Sequence, residues 1–155
     1  MTVSIPRNFI DQILRQAEND YPHETCGILI GPQNEKEKVT AIYPCQNVQD
    51  EYHALDPVNF PRTAETAYFI DPKDLLRIQK EARGKECEMR VIYHSHVNAG
   101  AYFSDEDRRI ALSEGEPAYP GVSYVVVSVR NGKSESVSLF KWNEAKKDFL
   151  KADLK

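Results

Sequence analysis

Apolar residues recur every three to four positions across residues 7–19, where Phe9, Ile10, Ile13, Leu14 and Ala17 share one face. Pro6 suits the first turn of such a helix and Tyr21-Pro22 stops it. The period then changes. Residues 26–30 form an unbroken apolar run closed by Gly31-Pro32, short enough to be a buried strand. Residues 33–38 are polar and read as a turn, with 39–44 as the returning strand. Residues 47–67 carry Pro57 and Pro61 with little periodicity, and predict an ordered loop or irregular crossover.

Tyr68-Phe69-Ile70 predicts a brief strand, and Asp71-Pro72-Lys73-Asp74 opens a second helix with a cap, a first-turn proline and an acid. Leu75, Leu76, Gln79 and Ala82 continue that helix until Gly84. Residues 89–96 read as a strand, 97–103 as a loop, 104–113 as a helix and 114–121 as a turn-rich link. Residues 122–129 are a buried strand, and Asn131-Gly132 signals a hairpin into a last strand at 136–142. The sum is an α/β single domain: a mostly antiparallel central sheet, two longer helices packed on it, and one short helix. Its expected extent is 1–142, with 143–155 a charged C-terminal tail or short helix.

At 155 residues the chain is most simply one domain, able to bury about 70% of its unfolded surface. A net charge of −4 lacks the basic stripe of a general nucleic-acid binder, so none is expected as a partner. No apolar run nears 18 residues and no cationic leader precedes an apolar core, so neither membrane span nor signal peptide is expected. Cys26, Cys45 and Cys87 are odd in number and scattered, as reduced thiols of a cytoplasmic protein would be. Oligomeric state is not legible.

The chemistry lies in His94-Ser95-His96, followed after seven residues by Ser104-Asp105-Glu106-Asp107. Two imidazoles two positions apart share one face of a strand. A carboxylate from the next element supplies a third ligand and leaves a fourth position open, the ligand count of a catalytic zinc site. At average residue usage such spacing arises by chance in roughly a few of ten thousand chains this long. The four residues Ser104 to Asp107 also read as a capping box at a helix start. The histidines at this distance favour the metal reading.

Together with Glu24, which stands ahead of the run Cys26-Gly27-Ile28-Leu29-Ile30-Gly31, these residues resemble the JAMM motif of the JAB1/MPN metallopeptidases. The likeness extends over residues 4–142 and is strongest toward the small prokaryotic branch. It implies an MPN fold and one zinc ion on His94, His96 and Asp107. It further implies Glu24 as proton shuttle and Ser104 as a stabiliser of the tetrahedral oxygen. The implied reaction is hydrolysis of a peptide or isopeptide bond after the Gly-Gly end of a ubiquitin-like sulfur-carrier protein. Many relatives have proline after the second histidine; Val97 stands here, a change of loop shape and not of ligands.

Rival readings are a non-catalytic MPN-type module binding a ubiquitin-like partner, and a zinc deaminase. The first is typical of relatives that have lost metal-site residues, whereas all five are present here. The second expects His-x-Glu and Pro-Cys-x-x-Cys, which do not occur. His23 and His53 read as surface or loop residues, and Cys26 as a small buried thiol. Arg62-Thr63-Ala64 and Tyr102-Phe103 are expected to flank the cleft.

Overall fold

The first helix, α1 (Arg7–Asp20), buries Ile10, Ile13 and Ala17, the stripe its apolar period predicts. The computed structural model describes residues 2–154. After α1 come β1 (Cys26–Pro32), β2 (Ala41–Cys45), α2 (Gln49–Leu55) and α3 (Pro72–Gly84). Then follow β3 (Cys87–Val97), α4 (Asp105–Ala111) and a two-residue pair, β4 (Leu112–Ser113) with β5 (Glu116–Pro117). The chain closes with β6 (Ser123–Arg130), β7 (Lys133–Asn143) and β8 (Asp148–Ala152).

Six strands form one sheet in the order β2-β1-β3-β6-β7-β8, in which only β3 and β6 run parallel. Strands β1, β3 and β6 are covered on both faces, so they read as continuous apolar runs without alternation. On one face Leu29, Val91, Tyr93, Val125 and Leu139 pack with the buried stripe of α1. On the other, Ile28, Ile92, Tyr124 and Val126 pack with Ile78 and Ala82 of α3. The period of two continues Ile92 into His94 and His96, so both imidazoles emerge on the α3 face.

Gln16 of α1 ties together β3 and the start of β1. Tyr93 Oη donates to Gln16 Oε1 at 2.5 Å, and Gln16 Nε2 donates to the Cys26 carbonyl at 2.9 Å. Gly27 makes room for that tyrosine, since a Cβ there would meet Tyr93 Oη at 2.1 Å. At the β6–β7 turn, Asn131 and Gly132 both have positive φ (52° and 81°), the backbone that a two-residue hairpin of this type requires.

Four expectations change. Residues 47–67 contain α2, a two-turn helix too short to reveal a period, whose Tyr52 packs against Phe60 and Phe69. In α3, Ile78 points inward while Leu76 is exposed. Residues 68–70 form no strand of their own; Ile70 makes a single bridge to Asn47. The stretch 143–155 is neither tail nor helix over its described part, because β8 completes the sheet edge and Phe149 is buried against Phe103, Tyr124 and Trp142. The aromatic cluster extends the core into that segment.

Candidate metal centre

His94, His96 and Asp107 converge, all buried, with one ligand atom of each lying within 4.8 Å of the others. Strand β3 brings the two histidines and the first turn of α4 brings the aspartate. His94 Nε2 stands 3.0 Å from Asp107 Oδ1, and His96 Nε2 stands 3.0 Å from Oδ2. Donors bound to one tetrahedral zinc ion stand about 3.3 Å apart, close to these two separations.

Hydrogen-bond directions support the same fit. His96 Nδ1 lies 2.9 Å from the Gly100 carbonyl, which can only accept, so this nitrogen carries the proton and donates. A neutral His96 ring therefore turns the lone pair of Nε2 toward a carboxylate. Acceptor facing acceptor repels, and a cation held between them removes the repulsion. His94 is fully buried, yet neither ring nitrogen makes a hydrogen bond. Its approach to Asp107 is close but misdirected, as expected of two ligands aimed at a common third point. These residues fit a divalent transition metal.

Burial opposes ionisation of Asp107, but the two imidazoles outweigh it and hold the carboxyl far below the usual carboxylate range. Tyrosine rings frame both imidazoles. Tyr68 stacks on His94 (centroids 4.4 Å apart, planes 19° apart), and Tyr102 meets His96 edge-on at 4.9 Å.

Glu24 comes from the approach to β1. Cys26 pairs with His94, so continuing the antiparallel register places residue 24 opposite residue 96. The Glu24 amide donates to the Ala64 carbonyl at 2.7 Å, and its carbonyl accepts from Asn47 Nδ2 at 2.9 Å. The side chain is buried, and Oε1 has no hydrogen-bond partner. Burial, reinforced by the charge of Asp107, pushes its carboxyl well above the normal range, with Arg62 acting in the opposite direction. Glu24 shares a narrow cleft of about 120 Å³ with His96 and Ser104. It therefore stands beside the three-residue cluster and outside it.

Ser104 caps α4. Its Oγ accepts from the Asp107 amide, and Asp107 Oδ2 accepts from the Ser104 amide, both at 3.0 Å. The capping-box reading and the metal reading thus describe the same residues at once. Arg62 and Tyr102 line the cleft as expected, whereas Ala64 is buried and Phe103 belongs to the aromatic core. His53 Nδ1 meets the Phe60 carbonyl at 2.7 Å, and His23 lies 3.9 Å from Asp50; neither joins the cluster. Burial raises the Cys26 thiol well above its normal range, and all three cysteines are free and buried.

Sequence reasoning missed Asn47, Tyr68 and the Gly100 carbonyl. Asn47 uses its whole amide: Nδ2 donates to the carbonyls of Glu24 and Ala67, and Oδ1 accepts from the amides of Gln49 and Phe69. No local pattern marks such a residue, because its partners lie up to 23 positions away.

Residues 6–143 match the family model described as prokaryotic homologs of the JAB domain. The CysO-cysteine peptidase of Mycobacterium tuberculosis is 27% identical over 127 residues, covering 82% of this chain and 73% of that protein. The desampylase of Haloferax volcanii is 29% identical over 130 residues, covering 81% and 80%. Among solved structures, a protein from Desulfitobacterium hafniense aligns with a TM-score of 0.72 at 21% identity, over 99% of this chain and 91% of that one. A JAB1/MPN domain protein from Archaeoglobus fulgidus aligns at 0.55 and 12% identity, over 99% and 95%. These two share the fold.

Proposed function

The chain belongs to the family of prokaryotic homologs of the JAB domain, and we propose that it is a zinc metallopeptidase that hydrolyses the bond after the Gly-Gly end of a ubiquitin-like sulfur carrier. One observation carries the reading. Two imidazoles and a carboxylate are buried together, with one ligand atom of each within 4.8 Å of the others, beside a buried glutamate that is not among them.

His94, His96 and Asp107 would hold the metal. What zinc supplies at such a site is Lewis acidity, which gives a hydroxide nucleophile at neutral pH and a polarised carbonyl. Glu24 takes the proton of the attacking water on Oε1, the oxygen without a partner, and passes it to the leaving amine. Ser104 Oγ, while accepting from the Asp107 amide, still has a hydrogen to donate to the developing oxyanion. The cleft between Glu24 and Tyr102 is narrow, which suits an extended chain without side chains, such as Gly-Gly.

The relatives named for CysO-cysteine and for desampylation support a ubiquitin-like substrate. The test is to incubate the zinc-loaded protein with ubiquitin-like sulfur carriers bearing extensions beyond Gly-Gly and to weigh the products. Trimming after the second glycine is expected. Intact carriers throughout would overturn the substrate assignment.

A further inference from the structure

Among the residues lining the cleft, Arg62 is the one lysine or arginine. It is exposed and lies in the segment between α2 and α3, where the buried Gln49 donates to its carbonyl at 2.9 Å. Its guanidinium carries five donors, and Nη1 reaches the Thr66 carbonyl at 3.3 Å. No nitrogen of Arg62 comes within 4.0 Å of a carboxylate oxygen of the described residues. Arg62 and Glu24 line the same cleft. A guanidinium with no carboxylate partner among the described residues therefore shares the cleft with the residue assigned to the leaving amine.

We propose that Arg62 binds the α-carboxylate of the residue released from the carrier, so that the enzyme favours carriers extended by one amino acid over carriers joined to a lysine side chain. This rests on the peptidase reading above. Water adds to the glycine carbonyl carbon, the carbon–nitrogen bond breaks, and Glu24 delivers the proton to the departing nitrogen. In a released α-amino acid that nitrogen and the carboxylate share one carbon, which places a carboxylate oxygen less than about 4 Å from the amine. A carboxylate at that spot is within reach of Arg62, which can grip it through two parallel hydrogen bonds. Without the guanidinium, Glu24 and Glu65, the acids lining the cleft, would repel it. A lysine ε-amine brings no carboxylate there, because four methylenes separate it from its own backbone.

The experiment compares three adducts of one ubiquitin-like carrier, using the zinc-loaded full chain. One ends in Gly-Gly-Ala with a free carboxylate, the second is its carboxamide, and the third joins Gly-Gly to the lysine ε-amine of a short peptide. Wild-type kcat/KM for the free acid is expected to exceed the other two at least about 10-fold, the scale of one hydrogen-bonded charge pair. Arg62→Gln is expected to lower kcat/KM for the free acid to that for the carboxamide in the same variant, and Arg62→Lys to recover part of the difference. Equal wild-type rates on free acid and carboxamide would overturn the proposal and leave the peptidase reading standing. An equal fall on both adducts in Arg62→Gln would also overturn it, placing Arg62's effect on Glu24. If a zinc-holding protein cleaved no adduct, the peptidase reading would fall and the proposal with it.

Discussion

Asp107 Oδ2 accepts a hydrogen bond from the Ser104 amide at 3.0 Å while facing His96 Nε2 at the same distance. One oxygen thus closes the capping box of α4 and completes the candidate metal cluster. The cap fixes the carboxylate before any metal arrives, and the Ser104 hydroxyl is held at the same corner by the reciprocal bond. Local helix chemistry and ligand placement are one arrangement here.

Asp107→Asn should separate the two roles. The amide oxygen can still accept from the Ser104 amide, so the cap of α4 should survive, while the metal-free protein loses the attraction between the carboxylate and the two imidazoles and should melt lower at neutral pH. Zinc affinity, measured by chelator competition, should fall by more than the roughly 10–100-fold typical of losing a supporting residue. Unaltered affinity would remove Asp107 from the ligand set.

Ser104→Ala should cost about 1 kcal/mol of stability through the lost cap, with zinc content unchanged and kcat reduced. Ser104→Thr restores the cap, which makes it the control. Unfolding curves and kcat measured on both variants check this, and full activity in the alanine variant would confine Ser104 to capping.

Glu24→Gln should keep stoichiometric zinc and lower kcat by about 10²–10⁴-fold, the range for removing a positioned proton carrier. Metal analysis and turnover on the same preparation check it. Normal cleavage would refute the proton-shuttle role.

The same substitution makes a pH prediction for the metal-free protein. The Glu24 carboxyl is held above its unfolded value of about 4.3 by burial first and the Asp107 charge second. As pH rises through the unfolded value, the unfolded chain gives up this proton while the folded chain keeps it. Glu24 therefore lowers stability progressively toward neutral pH. Glu24→Gln should raise Tm in chelator at neutral pH, with the gain shrinking as pH falls toward 4. A gain independent of pH would mean that packing, and not ionisation, sets it.

Tyr68 supports His94 by stacking, since neither imidazole nitrogen has a hydrogen-bond partner to orient it. Tyr68→Phe keeps the ring and should keep zinc affinity. Tyr68→Leu should weaken it about 10–100-fold, as losing a supporting contact does. Chelator competition on the two variants decides the point, with equal affinities counting against the stacking role.

The cluster was legible in the chain because its signals are local. A two-residue step along β3 fixes the shared face of His94 and His96, and a capped helix start fixes Asp107. Glu24 was reached only through resemblance, because its burial depends on pairing between β1 and β3, far apart in sequence. The Asn47 hub and the Tyr68 stack were not legible, as each is placed by the segment between β2 and α3. There α2 is too short to show a period, and the amides that fix the path bond across twenty residues or more. Strand β8 was hidden for a different reason. Its charged flanks suggest solvent, whereas Phe149 drives it into the core.

The most direct test is zinc stoichiometry paired with recovery of cleavage. Chelator-stripped protein is titrated with zinc while binding and trimming of a Gly-Gly-extended carrier are followed together. The account predicts one ion per chain, with trimming returning in step with occupancy and both lost in His94→Ala and His96→Ala. Absence of zinc binding after reconstitution, or cleavage that persists in the stripped protein, would contradict it.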